Sequence, residues 1–85
     1  MKEQSKVLKL IARIMKINNS NIEEKVSITY SGAYDREILN VCVYDDTNQV
    51  SFYKGYLINS KKDYDLSKKR EIINEVKRLE RLVRG

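Results

Sequence analysis

The spacing of apolar residues changes period twice along this chain, and this change constrains the fold more than any other feature. Over residues 2–17 and again over residues 66–84, apolar side chains recur every three or four positions, which is typical of an amphipathic helix. Between these segments they alternate one by one with polar residues, which is typical of a half-buried strand. The sequence therefore predicts a helix on either side of a group of strands.

Three strands are predicted in the middle of the chain, over residues 25–30, 38–44 and 50–58. Residues 31–35, Ser-Gly-Ala-Tyr-Asp, predict a turn, and residues 45–48, Asp-Asp-Thr-Asn, predict a hairpin loop. Because connections this short favour antiparallel pairing, the strands are expected to form an antiparallel meander.

These elements predict a single α+β domain over residues 1–85, in the order α-β-β-β-α, with two helices packed on one face of a three-stranded antiparallel sheet. The apolar arc of the first helix is wide, which indicates burial against both the sheet and the second helix, or against a second subunit. Gly55 is expected to mark a bulge in the third strand, and Asp65 or Ser67 to cap the second helix. The apolar faces of the predicted elements consist of Val7, Leu8, Leu10, Ile11, Ala12, Ile14, Met15, Ile17, Val26, Ile28, Tyr30, Leu39, Val41, Val43, Val50, Phe52, Tyr56, Ile58, Ile72, Ile73, Val76, Leu79 and Val83.

The absence of histidine and the single cysteine narrow the chemistry that this chain offers. Without histidine, triads of the Ser/His/Asp or Cys/His type cannot be assembled, and one cysteine excludes zinc sites of the usual Cys/His kind. A lone Cys42 also forms no internal disulfide, which fits a reducing compartment and predicts a cytoplasmic protein. Cys42 itself is interpreted as a small buried hydrophobe, with a reactive thiol as the alternative.

Membrane association and catalysis are not expected from this sequence. No apolar stretch approaches the roughly 18 residues that cross a bilayer, and basic residues interrupt the N-terminal apolar positions, so no signal-peptide core is present. Asp45 and Asp46 are interpreted as turn formers, and no phosphate-loop or dinucleotide fingerprint occurs. We expect a non-enzymatic protein that has no cofactor, no bound metal and no membrane partner.

Positive charge accumulates in the two predicted helices, and the formal net charge is +5. In a helical projection, the cations of the first helix fall within about 80° of one another, opposite the apolar arc. They have no acidic neighbours three or four residues further along the helix, so they repel one another unless something negative binds. A solvated surface and attraction to a polyanion remain as two interpretations. The cations concerned are Lys2, Lys6, Lys9, Arg13 and Lys16.

A second group of cations surrounds the predicted start of the second helix. Backbone N–H groups at a helix N-terminus attract phosphate, and flanking cations would strengthen such a site. The alternative is a solvated linker whose charge is offset by Asp63, Asp65 and Glu71. The group consists of Lys61, Lys62, Lys68, Lys69 and Arg70, and a further basic face along the helix is formed by Arg70, Lys77, Arg81 and Arg84.

Two tyrosines are predicted on the sheet face that the helices leave open. Tyr44 and Tyr53 alternate with the core residues of their strands, and they share that face with Ile38, Cys42 and Leu57. Tyrosines on an open sheet can stack on bases, but Lys25 is the only cation expected there. Contact with a protein or self-association is therefore favoured over base stacking at this face.

The predicted order of elements, with Ser67-Lys68-Lys69 opening the last helix, resembles the double-stranded RNA-binding domain. The resemblance implies that Lys68, Lys69 and Arg70 would hold phosphates across a groove. The alanine-rich second helix and the histidine-bearing loop of that family have no counterpart in this sequence.

A second resemblance is to the three-strand-plus-helix DNA-binding domains of phage and transposon integrases. Gly55-Tyr56 and the later Lys61-Lys62-Asp63 are similar to the glycine-aromatic-lysine run of those domains, with extra residues inserted. This resemblance implies contact with DNA.

These observations lead to one main hypothesis and two alternatives. The main hypothesis is a nucleic-acid-binding accessory protein from a phage or another mobile element, whose basic helix faces contact the phosphate backbone. The first alternative is a phage-encoded, anti-CRISPR-like inhibitor of a host defence protein, which would bind an acidic face of that protein or dock through the tyrosine-bearing sheet. The second is a homodimer built on the wide apolar arc of the first helix.

Overall fold

The computed structural model describes residues 2–33 and 36–84. The strands form one antiparallel sheet in the order β1-β2-β3, with α1 against β1 and α2 against β3. The predicted α+β architecture is therefore confirmed. The elements in chain order are α1 (Lys2–Asn18), β1 (Lys25–Ala33), β2 (Arg36–Tyr44), β3 (Val50–Leu57) and α2 (Asp63–Arg84).

One hydrophobic core lies between the two helices and the sheet. Each helix supplies side chains at three- and four-residue spacing, and the strands supply alternate residues, as the two periods require. Burying a large aliphatic side chain stabilises the fold by about 1.5–3 kcal/mol, so this layer holds the helices in place. The core consists of Val7, Leu10, Ile14, Ile17, Val26, Leu39, Val41, Val43, Tyr56, Ile58, Ile72, Val76 and Leu79.

Several apolar residues predicted to face the core lie at the surface instead. On α1, Leu8 is 66% exposed, Met15 is 58% exposed, and Ala12 is exposed as well. Only part of the apolar arc is thus covered by the sheet and α2. Val83, in the last turn of α2, is exposed in the same way, because the helix extends beyond the core that ends at Leu79.

The turn predicted at residues 31–35 is wrong over its first three positions. Ser31 pairs with Ile38, and Gly32 pairs with Glu37, so β1 continues to Ala33. Pairing with β2 satisfies those backbone groups of this stretch that face β2, and this outweighs its turn-like composition. Tyr34 and Asp35 lie outside the described residues.

The bulge predicted at Gly55 lies elsewhere in the sheet. Gly55 pairs regularly with Asn40, and the irregularity falls between Val43 and Tyr44, where β2 moves out of register with β3. The extra residue turns Val50 to the open face of the sheet, which corrects its predicted core position. Gly55 is instead a position of close approach, because a Cβ atom there would overlap the side-chain oxygen of Asn40.

The start of α2 also differs from the prediction. The helix begins at Asp63, and the carbonyl of Lys62 accepts the first helical bond from Leu66 N at 3.1 Å. Asp65 does not cap the helix, because its buried carboxylate accepts Leu57 N at 3.1 Å and the Ser60 hydroxyl at 2.6 Å. The predicted cap Ser67 is also wrong, since it lies exposed in the second turn.

Asp65 therefore ties the end of β3 to α2. The pKa of Asp65 lies below its usual value despite burial. The largest cause is the hydrogen bond from Ser60, and the Leu57 amide and the charges of Lys68 and Lys62 add to it. A carboxyl whose folded pKa is lowered contributes stability above its unfolded pKa and loses it as the pH falls through the folded pKa.

We predict that Asp65→Ala lowers the melting temperature by several degrees at pH 7, because two donors lose a buried acceptor. The gap from the unsubstituted protein should narrow as the pH falls below about 4, where the ionised carboxylate is lost. Thermal unfolding by circular dichroism measures both effects. Asp63→Ala is the matched control, since this exposed aspartate lies in the same helical turn. Equal melting temperatures for the two variants at pH 7 would contradict this account.

Candidate nucleic-acid interface

Cations from both helices line one groove between α1 and α2, which we call the interhelical groove. Its volume is about 240 Å³, and α1 contributes three cations where α2 contributes one. Leu10, Tyr56 and Ile73 form its apolar part. The cations that line it are Lys6, Lys9, Arg13 and Lys69.

The helical period explains why these side chains meet. Leu10 and Ile14 are buried on the inner face of α1, so residues about 100° away project along the side that faces α2. Ile72 is fully buried on α2, which in the same way turns Lys69 and Ile73 toward α1. Core packing therefore fixes the direction of the basic residues.

One cation of the groove is neutralised by the other helix. Arg13 forms a two-pronged ion pair with Glu80, with Nε to Oε2 at 2.9 Å and Nη2 to Oε1 at 2.7 Å. These hydrogen bonds raise the pKa of Arg13 above its ordinary value. Sequence analysis missed this pair because 67 positions separate the two residues. The pair joins α1 to α2 and reduces the positive charge that the groove offers.

The basic surface continues along the outer side of α1. Lys9 and Lys16 are exposed, and neither has an acidic partner among the described residues. Lys16 also borders a neighbouring hollow that Arg13, Glu80 and Val83 line. Lys2 was predicted to belong to the same surface, and its side chain lies outside the described residues.

The cations near the start of α2 do not form one cluster. Lys69 lines the interhelical groove, Arg70 projects into solvent, and the Lys68 ammonium lies 5.6 Å from the ring centre of Tyr64. Successive helical residues project about 100° apart, so this divergence follows from the helix itself. Ser67-Lys68-Lys69 also lies in the second turn of α2, not at its start, which removes the helix N-terminus from the predicted phosphate site.

Tyr64 is an aromatic residue that sequence analysis did not single out. The residue is 57% exposed, and the ammonium groups of Lys62 and Lys68 lie 5.9 Å and 5.6 Å from the centre of its ring. Lys61 is exposed in the loop just before Lys62. Because both ammonium groups lie over the ring, cation–π attraction gathers two positive charges beside Tyr64. The signal in the sequence was the aromatic residue between two basic pairs.

A second basic surface runs along the outer side of α2. Arg70, Lys77 and Arg81 are exposed and fall within about 40° of one another in a helical projection. Arg84 was predicted to extend this face, and its side chain lies outside the described residues. We call Arg70, Lys77 and Arg81 the outer ridge of α2.

Arg78 lies near this ridge but has a structural role. Its guanidinium donates to Glu75 on the same helix and to Glu24 in the loop before β1, each at 2.8 Å through Nη2. These bonds, the one to Glu75 first, raise its pKa further above the ordinary arginine value. Arg78 thus connects α2 to the loop that leads into β1, and its charge is already matched.

The open face of the sheet carries an apolar patch on β2 and β3, beside the polar side chains of β1 and the exposed Arg36 at the start of β2. Cys42 lies opposite Tyr53 in the β2–β3 register, and Tyr53 is 62% exposed. Cys42 is a half-buried free thiol, and its hydrogen bond with Tyr44 raises the pKa of that tyrosine. Lys25, the cation predicted on this face, directs its ammonium to the carbonyl of Ile22 at 3.2 Å.

Comparisons with known proteins do not assign the chain to a family. No protein-family model, curated protein or solved structure matches it. The described residues contain no helix that is long and apolar enough to span a bilayer. Across residues 2–33 and 36–84, no three His, Cys, Asp or Glu side chains come together in a way that would hold a metal ion.

Proposed function

We propose that this chain is a cytoplasmic, non-enzymatic nucleic-acid-binding accessory protein of a phage or another mobile element. It binds the phosphate backbone through the layer formed by α1 and α2. The observation that carries the proposal is the convergence of Lys6 and Lys9 of α1 with Lys69 of α2 on one groove. The outer ridge of α2 extends the same positive surface, whereas the sheet offers no comparable one.

The physical basis of the proposal is the release of counterions from a polyanion. Each phosphate that a lysine or arginine neutralises frees condensed cations. The logarithm of the affinity therefore falls linearly as the logarithm of the salt concentration rises. A small groove with exposed lysines on its rim does not enclose a base, and it suits contact with phosphates from outside. We therefore expect binding with little sequence preference and a dissociation constant of about 10⁻⁴–10⁻⁶ M at physiological salt.

Neutralising exposed lysines of α1 tests the location of the interface. We predict that Lys9→Gln/Lys16→Gln weakens binding and lowers the salt slope by up to about 2, because each lysine that contacts a phosphate contributes about 1. Fluorescence anisotropy of a labelled duplex, measured over a salt series, gives both quantities.

The matched control for this prediction is Lys25→Gln/Lys54→Gln, which loses the same charge away from the proposed interface. Lys25 is directed to backbone carbonyls, and Lys54 lies 3.8 Å from Glu71. We expect the control to retain nearly the full salt slope. Equal losses in both variants would show that net charge alone acts, and a slope of zero for the unsubstituted protein would rule out phosphate contacts.

The Arg13–Glu80 pair allows a gain-of-function test. We predict that Glu80→Gln tightens binding by up to about tenfold at low salt, because Arg13 is then available to a phosphate. Glu71→Gln removes one negative charge elsewhere on α2, where its partner is Lys54, and it should change the affinity less. Equal effects of the two substitutions would mean that Arg13 does not contact the nucleic acid.

A second candidate function is inhibition of a host defence protein by direct binding, in the manner of an anti-CRISPR protein. The observation that favours it is the open sheet face, where Val50 and Tyr53 are 56% and 62% exposed and Ile38 is 38% exposed. Exposed apolar patches of this kind often mark protein contacts. The chain is basic, so it does not imitate nucleic acid, and docking would rely on apolar complementarity.

We predict that this second function gives a stoichiometric protein complex that survives nuclease treatment. Pull-down from host lysate with the unsubstituted chain and with Tyr53→Ser measures it. Loss of the partner with Tyr53→Ser, but not with Lys9→Gln/Lys16→Gln, would assign binding to the open face. A partner that disappears with nuclease would indicate nucleic acid as the bridge.

A further inference from the structure

The edge of the sheet at β1 is closed at one residue by the end of α1. The Asn18 side chain accepts Val26 N at 2.9 Å through Oδ1 and donates to Val26 O at 2.7 Å through Nδ2. The backbone groups of Val26 therefore point away from β2. In an antiparallel ladder this direction alternates along the strand, so the backbone groups of Ile28, Tyr30 and Gly32 also point outward.

Beyond Val26 the edge of β1 is not covered by another strand of the described chain. Three outward residues in succession present donors and acceptors in the plane of the sheet. Such an edge is a template for one further strand. The only charged residue of β1 is Lys25, at the far end, where Asn18 already occupies the edge.

The layer above this edge is mostly apolar, and its one charged lining residue among those described is Glu37, which is hydrogen-bonded to the Tyr30 hydroxyl. A cleft of about 430 Å³ lies between α1 and the sheet, and Leu8, Ile11 and Tyr30 are among the residues that line it. Leu8 is 66% exposed and Tyr30 is 50% exposed. We call the open edge of β1 together with Leu8, Ile11 and Tyr30 the β1 flank.

Charge favours a second copy of this chain as the occupant of the β1 flank. In a helical projection of α1, Leu8 and Ile11 lie on the opposite side of the buried face from Lys6 and Arg13. For a chain of net charge +5, the β1 flank is therefore a surface where two copies approach with little repulsion between cations. Glu37 lines the cleft and would repel an acidic partner, whereas the mainly apolar flank of a second copy fits it.

We propose that two copies of the chain form a dimer by antiparallel pairing of their β1 edges, centred on Tyr30. This centre is the one that pairs all three outward residues, with Tyr30 opposite Tyr30 of the second copy and Ile28 opposite Gly32. Six backbone hydrogen bonds form in this register. This register also places the large side chain of Ile28 opposite Gly32, and it leaves the hydrogen bonds between Val26 and Asn18 intact.

The pairing produces one six-stranded sheet about a twofold axis perpendicular to it. Such an axis keeps the faces of the sheet distinct, so the four helices lie on the same side. Both interhelical grooves then face the same direction, and a polyanion could contact the two together. The dimer itself requires no nucleic acid, and its test is therefore independent of the proposed function.

Sedimentation velocity without nucleic acid tests the dimer between about 1 and 200 µM, since a contact of one strand edge and one helix flank is near the small end of stable interfaces. We expect the unsubstituted chain to dimerise and Leu8→Lys to weaken the dimer at least about tenfold. Leu82→Lys, at a residue of α2 that is 47% exposed, is the matched control and should dimerise normally. A monomer throughout, or equal weakening by both substitutions, would overturn the proposal.

Disulfide trapping tests the register in a Cys42→Ser background. Thr29 would lie opposite Ser31 of the second copy in a non-hydrogen-bonded pair, with Cβ atoms about 4.5–5.5 Å apart. Thr29→Cys/Ser31→Cys should therefore give a covalent dimer under mild oxidation. Ser27→Cys should not, because the two introduced thiols would be about 20 Å apart along the strands. Equal trapping of the two variants would overturn the pairing centred on Tyr30.

Discussion

The shared core between two helices and one face of a three-stranded sheet is the constraint on which the rest of this structure depends. Ile14 of α1, Leu39 of β2 and Ile72 of α2 are almost fully buried, and they fix the rotation of each element. Once that rotation is fixed, the directions in which the basic side chains project are fixed as well. Lys9 and Lys69 are brought to the same groove because their neighbours are buried, and no ion pair between the helices is needed to place them there.

Most of the fold could be predicted from the sequence, because it depends on local periods. The alternation of Leu39, Val41 and Val43 and the helical spacing of Ile72, Val76 and Leu79 are sufficient to assign the elements and their inner faces. The bulge at Tyr44 could not be predicted, since it depends on how β2 and β3 fit together. The role of Asp65 could not be predicted either, because its partners Leu57 and Ser60 belong to the end of the sheet and the following loop.

The candidate site was predictable only in part, for a similar reason. The sequence showed which residues are basic and on which side of a helix they fall, but not which acidic residue would come near them. Arg13 is matched by Glu80, and Arg78 by Glu24, across separations of 67 and 54 positions. The structure thus divides the cations into those that hold elements together and those, such as Lys9, that remain at the surface. The sheet face, which has tyrosines and little charge, is suited to a different kind of contact.

The central claim is that the helical layer, and not the sheet, contacts phosphates. Titration of the ¹⁵N-labelled protein with a short DNA duplex at low salt, followed by amide chemical shifts, tests this claim most directly. The account predicts that the largest chemical-shift changes occur at Lys9, Lys16 and the outer ridge of α2. The amide chemical shifts of Tyr44 and Tyr53 should not change. Shifts concentrated at those two tyrosines, or no shifts at all, would contradict it.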